Sequence, residues 1–288
     1  MKKRVYFWLG MILFFAVIYT EVTDERSLFS SANSKEIGCI GGILIHRNGY
    51  ISCVDVETYI KGCLGTTIDL SASEPVIQAQ AVLLRSSIYY CREVSGDIFL
   101  DEKEVGFCYL SREQWRERWG DDFDKQYEKI TRATEDTKGI VLCYRKRPIV
   151  GSYCRMSPGK TQPAGGQFPY FKQVLCENNI KNETYQMTYR FHVQDEIVIG
   201  DTDEDGRIGY VFEKGQQKDA YSFAKEHGLN APFLYKGYDR RTIVVNGIGH
   251  GCGMDQTYAD ALCLLGQTDF MALLKTFYQN VTFEKVSW

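Results

Sequence analysis

The chain has no Cys-x-x-Cys pair, although it carries ten cysteines in 288 residues. That absence excludes a zinc ribbon and a thioredoxin-like redox centre. It also has no surplus of positive charge. With a net charge of -3 and a pI near 5.9 it does not attract a phosphate backbone, so nucleic acid is not an expected partner. There is no internal repeat, no low-complexity block and no second apolar run suited to a membrane. Asp201, Asp203, Asp205 and Gly206 begin like a calcium loop, but the twelfth position, which should be a bidentate acid, is Phe212. The stretch reads instead as an acidic turn entering a strand at residues 208–212. No metal and no cofactor are expected.

What is present is ordinary globular composition, 44% hydrophobic and 25% charged, long enough to bury a sizeable core. Aromatics reach 14%, and tyrosine is the largest share. Tyrosine suits sugar rings, and it is equally at home in half-buried strands. The even cysteine count permits disulfides in an oxidising compartment. The spacing is irregular and a chain of this size folds without staples, so buried small hydrophobes are the expectation. Two glycosylation sequons, at Asn182 and Asn280, matter only in a eukaryotic secretory pathway.

The N-terminus reads as a signal anchor over residues 1–22. Lys2, Lys3 and Arg4 precede an uncharged run over residues 5–19, and Glu21 and Asp24 follow. Basic residues ahead of an apolar run hold that end in the cytoplasm. The remainder is then extracytoplasmic, on a single pass through the cell membrane. The run covers roughly 22 Å of a roughly 30 Å hydrocarbon core, and snorkelling lysines narrow the gap. A cleaved signal peptide would export the domain equally, but no small-x-small site directly follows the run. Residues 23–38 are a polar linker, and residues 39–288 form the globular domain.

Within that domain, short apolar runs at residues 43–45 and 50–54 flank Asn48-Gly49, a hairpin signal. Ile77, Ala81, Leu84, Ile88 and Cys91 recur at helical spacing, with Ser73 as the cap. Ser111 and Gln114 predict a capping box, and Gly139 a helix end. Strands are expected over residues 140–144 and 149–153, and a strand pair over 185–199. A Gly/Pro-rich loop covers 157–169. Helices are expected from Asp255 to Leu265 and from Thr268, as cap, to Tyr278. Hairpins and helices without regular alternation indicate an α+β fold.

The most distinctive stretch runs from Gly247 to Gln256, with four glycines in its first seven residues. Such a loop lets backbone approach a ligand closely, and it presents His250 on bare main chain. The helix that follows offers unpaired amides. The spacing is wrong for a dinucleotide fingerprint.

Gly249-His250-Gly251-x-Gly253-Met254-x-Gln256 resembles the terminal signature of the stage II sporulation protein D family, the amidase-enhancer domains. Three further segments follow in the family's order. Tyr59-Ile-Lys-Gly62, then Gln78-Ala-Gln80-Ala81-Val82 and Arg85, resembles its first motif. Residues 153–161 with Pro169-Tyr170-Phe171 resemble its Ser/Gly-Gly-x-Thr segment, and Gly206-Arg207-Ile208 its Gly-Arg-Val strand. The resemblance implies a single domain of this type over residues 39–288, behind the anchor. It implies action on peptidoglycan glycan strands during engulfment, beside a cell-wall amidase and other engulfment proteins. The family's reaction is a lytic transglycosylation. The sugar's own 6-hydroxyl closes an anhydro ring, so one carboxyl serves as acid and then base.

That carboxyl is a glutamate five residues after the Tyr-x-x-Gly motif. Here the position is Thr67, whose hydroxyl is far too weak an acid for the task. Asp69 and Glu74 lie nearby as stand-ins, and Asp69 has the alternative role of a capping carboxylate. His250 assists or binds sugar on this reading. The resemblance also makes Ser157, Gly159 and Thr161 cleft-lining positions, with Gln80 and Arg85 buttressing the cleft and Gly249, Gly251, Gly253 and Gln256 contacting substrate. Cys154 and Ser157 stand where some members hold zinc, but a lone cysteine does not make a tetrahedral site. Three readings therefore stand open. One is a transglycosylase with a displaced acid. Another is a non-catalytic module that binds glycan or activates an amidase. The third is a cysteine enzyme pairing Cys252 with His250.

Overall fold

The computed structural model describes residues 42–47, 50–95, 99–101, 107–163, 166, 168–180, 185–266 and 269–287. The anchor, the linker, the Asn48-Gly49 turn, the Asn182 sequon and the Thr268 cap lie outside them. Among the described residues no helix is long and apolar enough to cross a membrane. The architecture is α+β, and it divides into two compact units. One consists of the described residues up to Ser152 together with those from Ala259 onward. The other is Tyr153–Tyr258.

In the first unit, β1 (Gly42–Arg47) and β2 (Tyr50–Asp55) pair antiparallel, as the two apolar runs predict, and the register sets Arg47 opposite Tyr50. Asp55 ends β2 and starts α1 (Val56–Thr67), because its carboxylate accepts the Thr58 N–H at 2.9 Å. The central helix is α2 (Glu74–Ser95), whose Ile77, Ala81, Leu84 and Ile88 are buried at the expected spacing. Ser73 precedes it but is not spent on capping. Its N–H and hydroxyl both donate to Asp260, at 2.8 and 2.6 Å. β3 (Phe99–Asp101) runs parallel to β1.

α3 (Arg112–Trp119) opens on the predicted Ser111–Gln114 capping box. α4 (Phe123–Asp136) packs against α1 and α2. Gly139 follows at a φ of +72°, and β4 (Ile140–Tyr144) begins directly after it. The strand expected over 149–153 is not formed. The left-handed pair Arg145 and Lys146 turns the chain at once into β5 (Arg147–Pro148), beside β4. Gly151 then presses on α2, where a Cβ would lie 2.1 Å from the Leu83 carbonyl oxygen.

The second unit starts with β6 (Tyr153–Cys154) and the short α5 (Glu177–Ile180). β7 (Gln186–Arg190) and β8 (Ile197–Ile199) are both strands, but they do not pair with each other. A 3-10 turn at Val193–Asp195 and a left-handed Glu196 send them into different sheets. β8 pairs with β9 (Tyr210–Glu213), which pairs with β10 (Gln216–Asp219). After α6 (Ala220–Glu226), β11 (Leu234–Lys236) pairs with β12 (Thr242–Asn246), whose other edge takes β7. Alternate residues Leu234, Ile243 and Val245 turn inward onto Phe223, Phe233 and Val211. Burying such a side chain contributes on the order of 1.5–3 kcal/mol. β13 (Met254–Asp255) runs parallel to β6.

α7 (Gln256–Leu264) follows, close to the expected helix bounds. α8 (Phe270–Phe277) packs on α2 of the first unit, capped by Asp269, whose carboxylate accepts the Met271 N–H. β14 (Val281–Lys285) pairs antiparallel with β4.

The cysteines divide. Cys63, Cys143, Cys154, Cys176 and Cys252 are buried thiols, as the small-hydrophobe reading expects. Cys53 departs from it, being exposed and disulfide-bonded. In the acidic turn, Asp203 accepts the Asp205 and Arg207 N–H groups, and Asp205 pairs with Lys160 and Arg207. Among the described residues, no group of three or more His, Cys, Asp or Glu is placed to hold a metal ion.

Candidate functional site

The predicted residues fall in two groups. Thr67, Asp69, Gln80 and Arg85 belong to the first unit, and those from Ser157 to Gln256 belong to the second.

Thr67 is the last residue of α1, and Ile68 caps the helix with an N–H to the Leu64 carbonyl. The Thr67 hydroxyl donates back into the helix, to the carbonyls of Cys63 and Leu64 at 3.1 Å each. Asp69 is exposed in the loop beyond. Its carboxylate accepts the Ser71 N–H at 2.9 Å and the Ser71 hydroxyl at 2.8 Å, a local turn. Glu74, at the start of α2, pairs with Arg132 at 2.9 Å. The loop's far end is tied to Asp260, as above.

Arg85 is fully buried and grips Glu57 with two parallel bonds, at 2.8 and 2.6 Å. A third donor reaches the Ile140 carbonyl at 3.0 Å. Glu57 in turn accepts the Gly139 N–H at 3.2 Å. This clamp joins α1, α2 and the start of β4, and Arg85 holds the fold that carries Thr67. Gln80 is fully buried on α2.

In the second unit the glycine-rich loop is built by close approach. Gly249 and Gly251 have φ values of +96° and +76°, where L side chains are strained. A Cβ on Gly251 would also sit 2.4 Å from Phe233 Cζ. The loop is stitched to the Ser157–Thr161 segment. Met156 and Ile248 exchange backbone bonds at 3.2 and 2.8 Å, and Gln162 N–H reaches Gly251 O at 2.8 Å. Gly159 accepts the Cys176 N–H through its carbonyl. The Thr161 hydroxyl donates to Lys172 O and accepts from Val174 N, both at 2.9 Å. Gly253 has a φ of +75°, and Gln256 is the first residue of α7.

Sequence reasoning missed the hub of this unit, Asp255, which is fully buried. Its carboxylate accepts three N–H groups, from Ser157 at 2.7 Å, Asn179 Nδ2 at 2.6 Å and Tyr258 at 2.9 Å. Burial raises its pKa, and these hydrogen bonds pull the other way. The Asp255-to-Tyr258 bond is a helix cap, a signal available from an aspartate standing before a helical run. Its tie to Asn179, 76 residues away, had no sequence signal.

His250 accepts the Cys252 N–H on Nδ1 at 3.1 Å. Burial pushes its imidazole down to about 4 and the Cys252 thiol up to about 12. A thiolate–imidazolium pair needs shifts in the opposite directions, so both groups are neutral at pH 7 and Cys252 is not an activated nucleophile. Burial likewise raises Cys154 well above its ordinary value and Cys176 to about 12.

Residues 46–144 match the family model described as Stage II sporulation protein. That stretch contains α1, Thr67 and the Gln80–Arg85 segment. The chain is 25% identical over 261 residues to stage II sporulation protein D of Bacillus amyloliquefaciens, covering 81% of this chain and 75% of that protein. It is 24% identical over 260 residues to the protein of the same name from Bacillus subtilis (strain 168), with the same coverage. The chain is thus a relative of stage II sporulation protein D over most of its length.

Proposed function

We propose, from this kinship with stage II sporulation protein D, that the chain takes part in cell-wall remodelling in sporulation by holding peptidoglycan glycan strands without cutting them. On this reading it is tethered by residues 1–22, its domain is extracytoplasmic, and a cell-wall amidase is its working partner. One observation carries the non-catalytic part. Thr67 stands where the resemblance puts the acid, and its hydroxyl is bonded to the carbonyls of Cys63 and Leu64. A general acid needs a proton of suitable acidity within reach of the leaving oxygen, and a hydroxyl does not supply one. Asp69, the nearest stand-in, is occupied in its own turn by Ser71.

The test is incubation of the full chain with glycan strands stripped of stem peptides. The protein should co-sediment with the strands, and mass spectrometry should find no anhydro-muropeptides. Anhydro products that vanish in Asp69→Asn would instead establish a displaced acid. Failure to co-sediment would overturn the glycan reading itself.

A further inference from the structure

The tip between β4 and β5 departs from the chemistry that its geometry prefers. Tyr144 pairs with Arg147, so the loop is the two residues Arg145 and Lys146. Both have positive φ, +51° and +65°. Two left-handed residues in a two-residue hairpin loop make a type I′ turn, for which Asn-Gly is the favoured pair. A residue with a Cβ is strained there, and a long cationic side chain gains nothing from the turn itself. Strain kept at one exposed spot points to a use for the side chains it holds.

What the turn presents is charge. Arg145, Lys146 and Arg147 are consecutive and exposed, on a chain whose net charge is -3. Arg145 lies over its neighbour's ring, with Cζ 5.2 Å from the Tyr144 centroid. Arg147 pairs with Glu93 at 3.3 Å, yet its side chain is 81% exposed. Among the described residues, neither Arg145 nor Lys146 has an ion pair. Glu284 on β14 stands opposite Val141, behind the tip, and accepts the Thr282 hydroxyl at 3.1 Å. Next to Glu93, at the end of α2, Val94 is 49% exposed.

A projecting two-residue tip cannot enclose a small anion, so an extended anionic surface suits it better than a single phosphate. Cations beside a half-buried tyrosine and an exposed valine match a bilayer interface, where charges meet headgroups and apolar stems sit among them. The reach is there. Residues 23–41 separate the tether from β1 and extend to at most about 65 Å. A tethered face meets the bilayer at a high effective concentration, so a few weak contacts suffice.

We propose that the Arg145–Arg147 tip docks the first unit on the anionic lipid headgroups of the membrane that holds residues 1–22. The inference rests on the tether in the proposed function and is independent of glycan binding. Headgroup phosphate oxygens accept from the guanidinium and ammonium groups. The strained turn sets the three cations at one point of the surface.

The test places the full chain in nanodiscs of phosphatidylcholine, alone or mixed with phosphatidylglycerol. Phenylglyoxal modification of Arg147 is mapped by mass spectrometry, with the exposed Arg240 of the second unit as reference. The anionic discs should slow Arg147 by roughly fivefold or more against the neutral ones, and high salt should restore its rate. Arg145→Asn with Lys146→Gly removes two cations and supplies the favoured turn pair. It should unfold at a higher urea concentration than wild type and lose most of the protection, which separates lost docking from lost folding. Equal Arg147 reactivity in the two discs, or a variant that keeps the protection, would overturn the docking face and leave the tether standing. A variant less stable than wild type would remove the strain from which the face is read, and the proposal with it. A chain that enters neither disc would sink the tether and the docking face together.

Discussion

Arg85→Met separates a structural clamp from a ligand contact. The guanidinium is fully buried, and its two bonds to Glu57 and one to Ile140 O are all within 3.0 Å. Methionine fills the stem's volume but removes every donor. Glu57, with its side chain 21% exposed, keeps only the Gly139 N–H and some access to water. Breaking a buried pair by removing one partner costs about 3–5 kcal/mol, and the water access places this case near 3 kcal/mol. Arg85→Met with Glu57→Gln should recover at least half, because glutamine removes the stranded charge and still accepts from Gly139. The readout is urea unfolding of the full chain followed by tryptophan fluorescence. Trp115, 1% exposed and stacked on Trp119, lies in the same unit as Arg85, and Tyr153–Tyr258 contains no tryptophan. A loss below about 1 kcal/mol would refute the clamp. So would an unfolding curve like that of wild type combined with lost glycan binding, which would make Arg85 a ligand contact.

Asp255→Asn should destabilise the second unit by about 2 kcal/mol, since an amide leaves at least one of three N–H donors facing an N–H; its denaturation midpoint is the check. Gly251→Ala should cost about 2–5 kcal/mol, from a strained positive φ and the collision with Phe233, read in the same way. His250 sets a pH dependence. Its folded value near 4 lies below the ordinary 6.5, so its burial carries no charge penalty above about 6.5 and a growing one as pH falls toward 4, where the unfolded chain binds a proton that the folded chain does not. The amount is about 3 kcal/mol, and it should disappear from the pH–stability profile of His250→Gln. Cys252 should resist iodoacetamide at pH 8 in the native chain and react once it is unfolded, because its thiol is held near 12.

Local signals were the legible part of the fold. The β1–β2 pairing, the capping box at Ser111, the buried stripe of α2 and the start of α7 each follow from residues within a few positions of one another. The failures lie where distant segments decide. The strand expected at 149–153 gave way to a left-handed turn at Arg145–Lys146 and to the approach of Gly151 to α2. Residues 185–199 are expected as a strand pair and supply two strands of different sheets, because alternation reports a strand without naming its partner.

By itself the sequence determined the α+β class, the kinship with stage II sporulation protein D and the threonine at position 67. These reside in residue types and short spacings. Only the tertiary structure decided that Arg85 is spent on Glu57 and that Asp255 gathers Ser157, Asn179 and Tyr258. Hydrogen bonds and burial depend on which distant segments come within about 3 Å, and spacing along a chain carries no record of that.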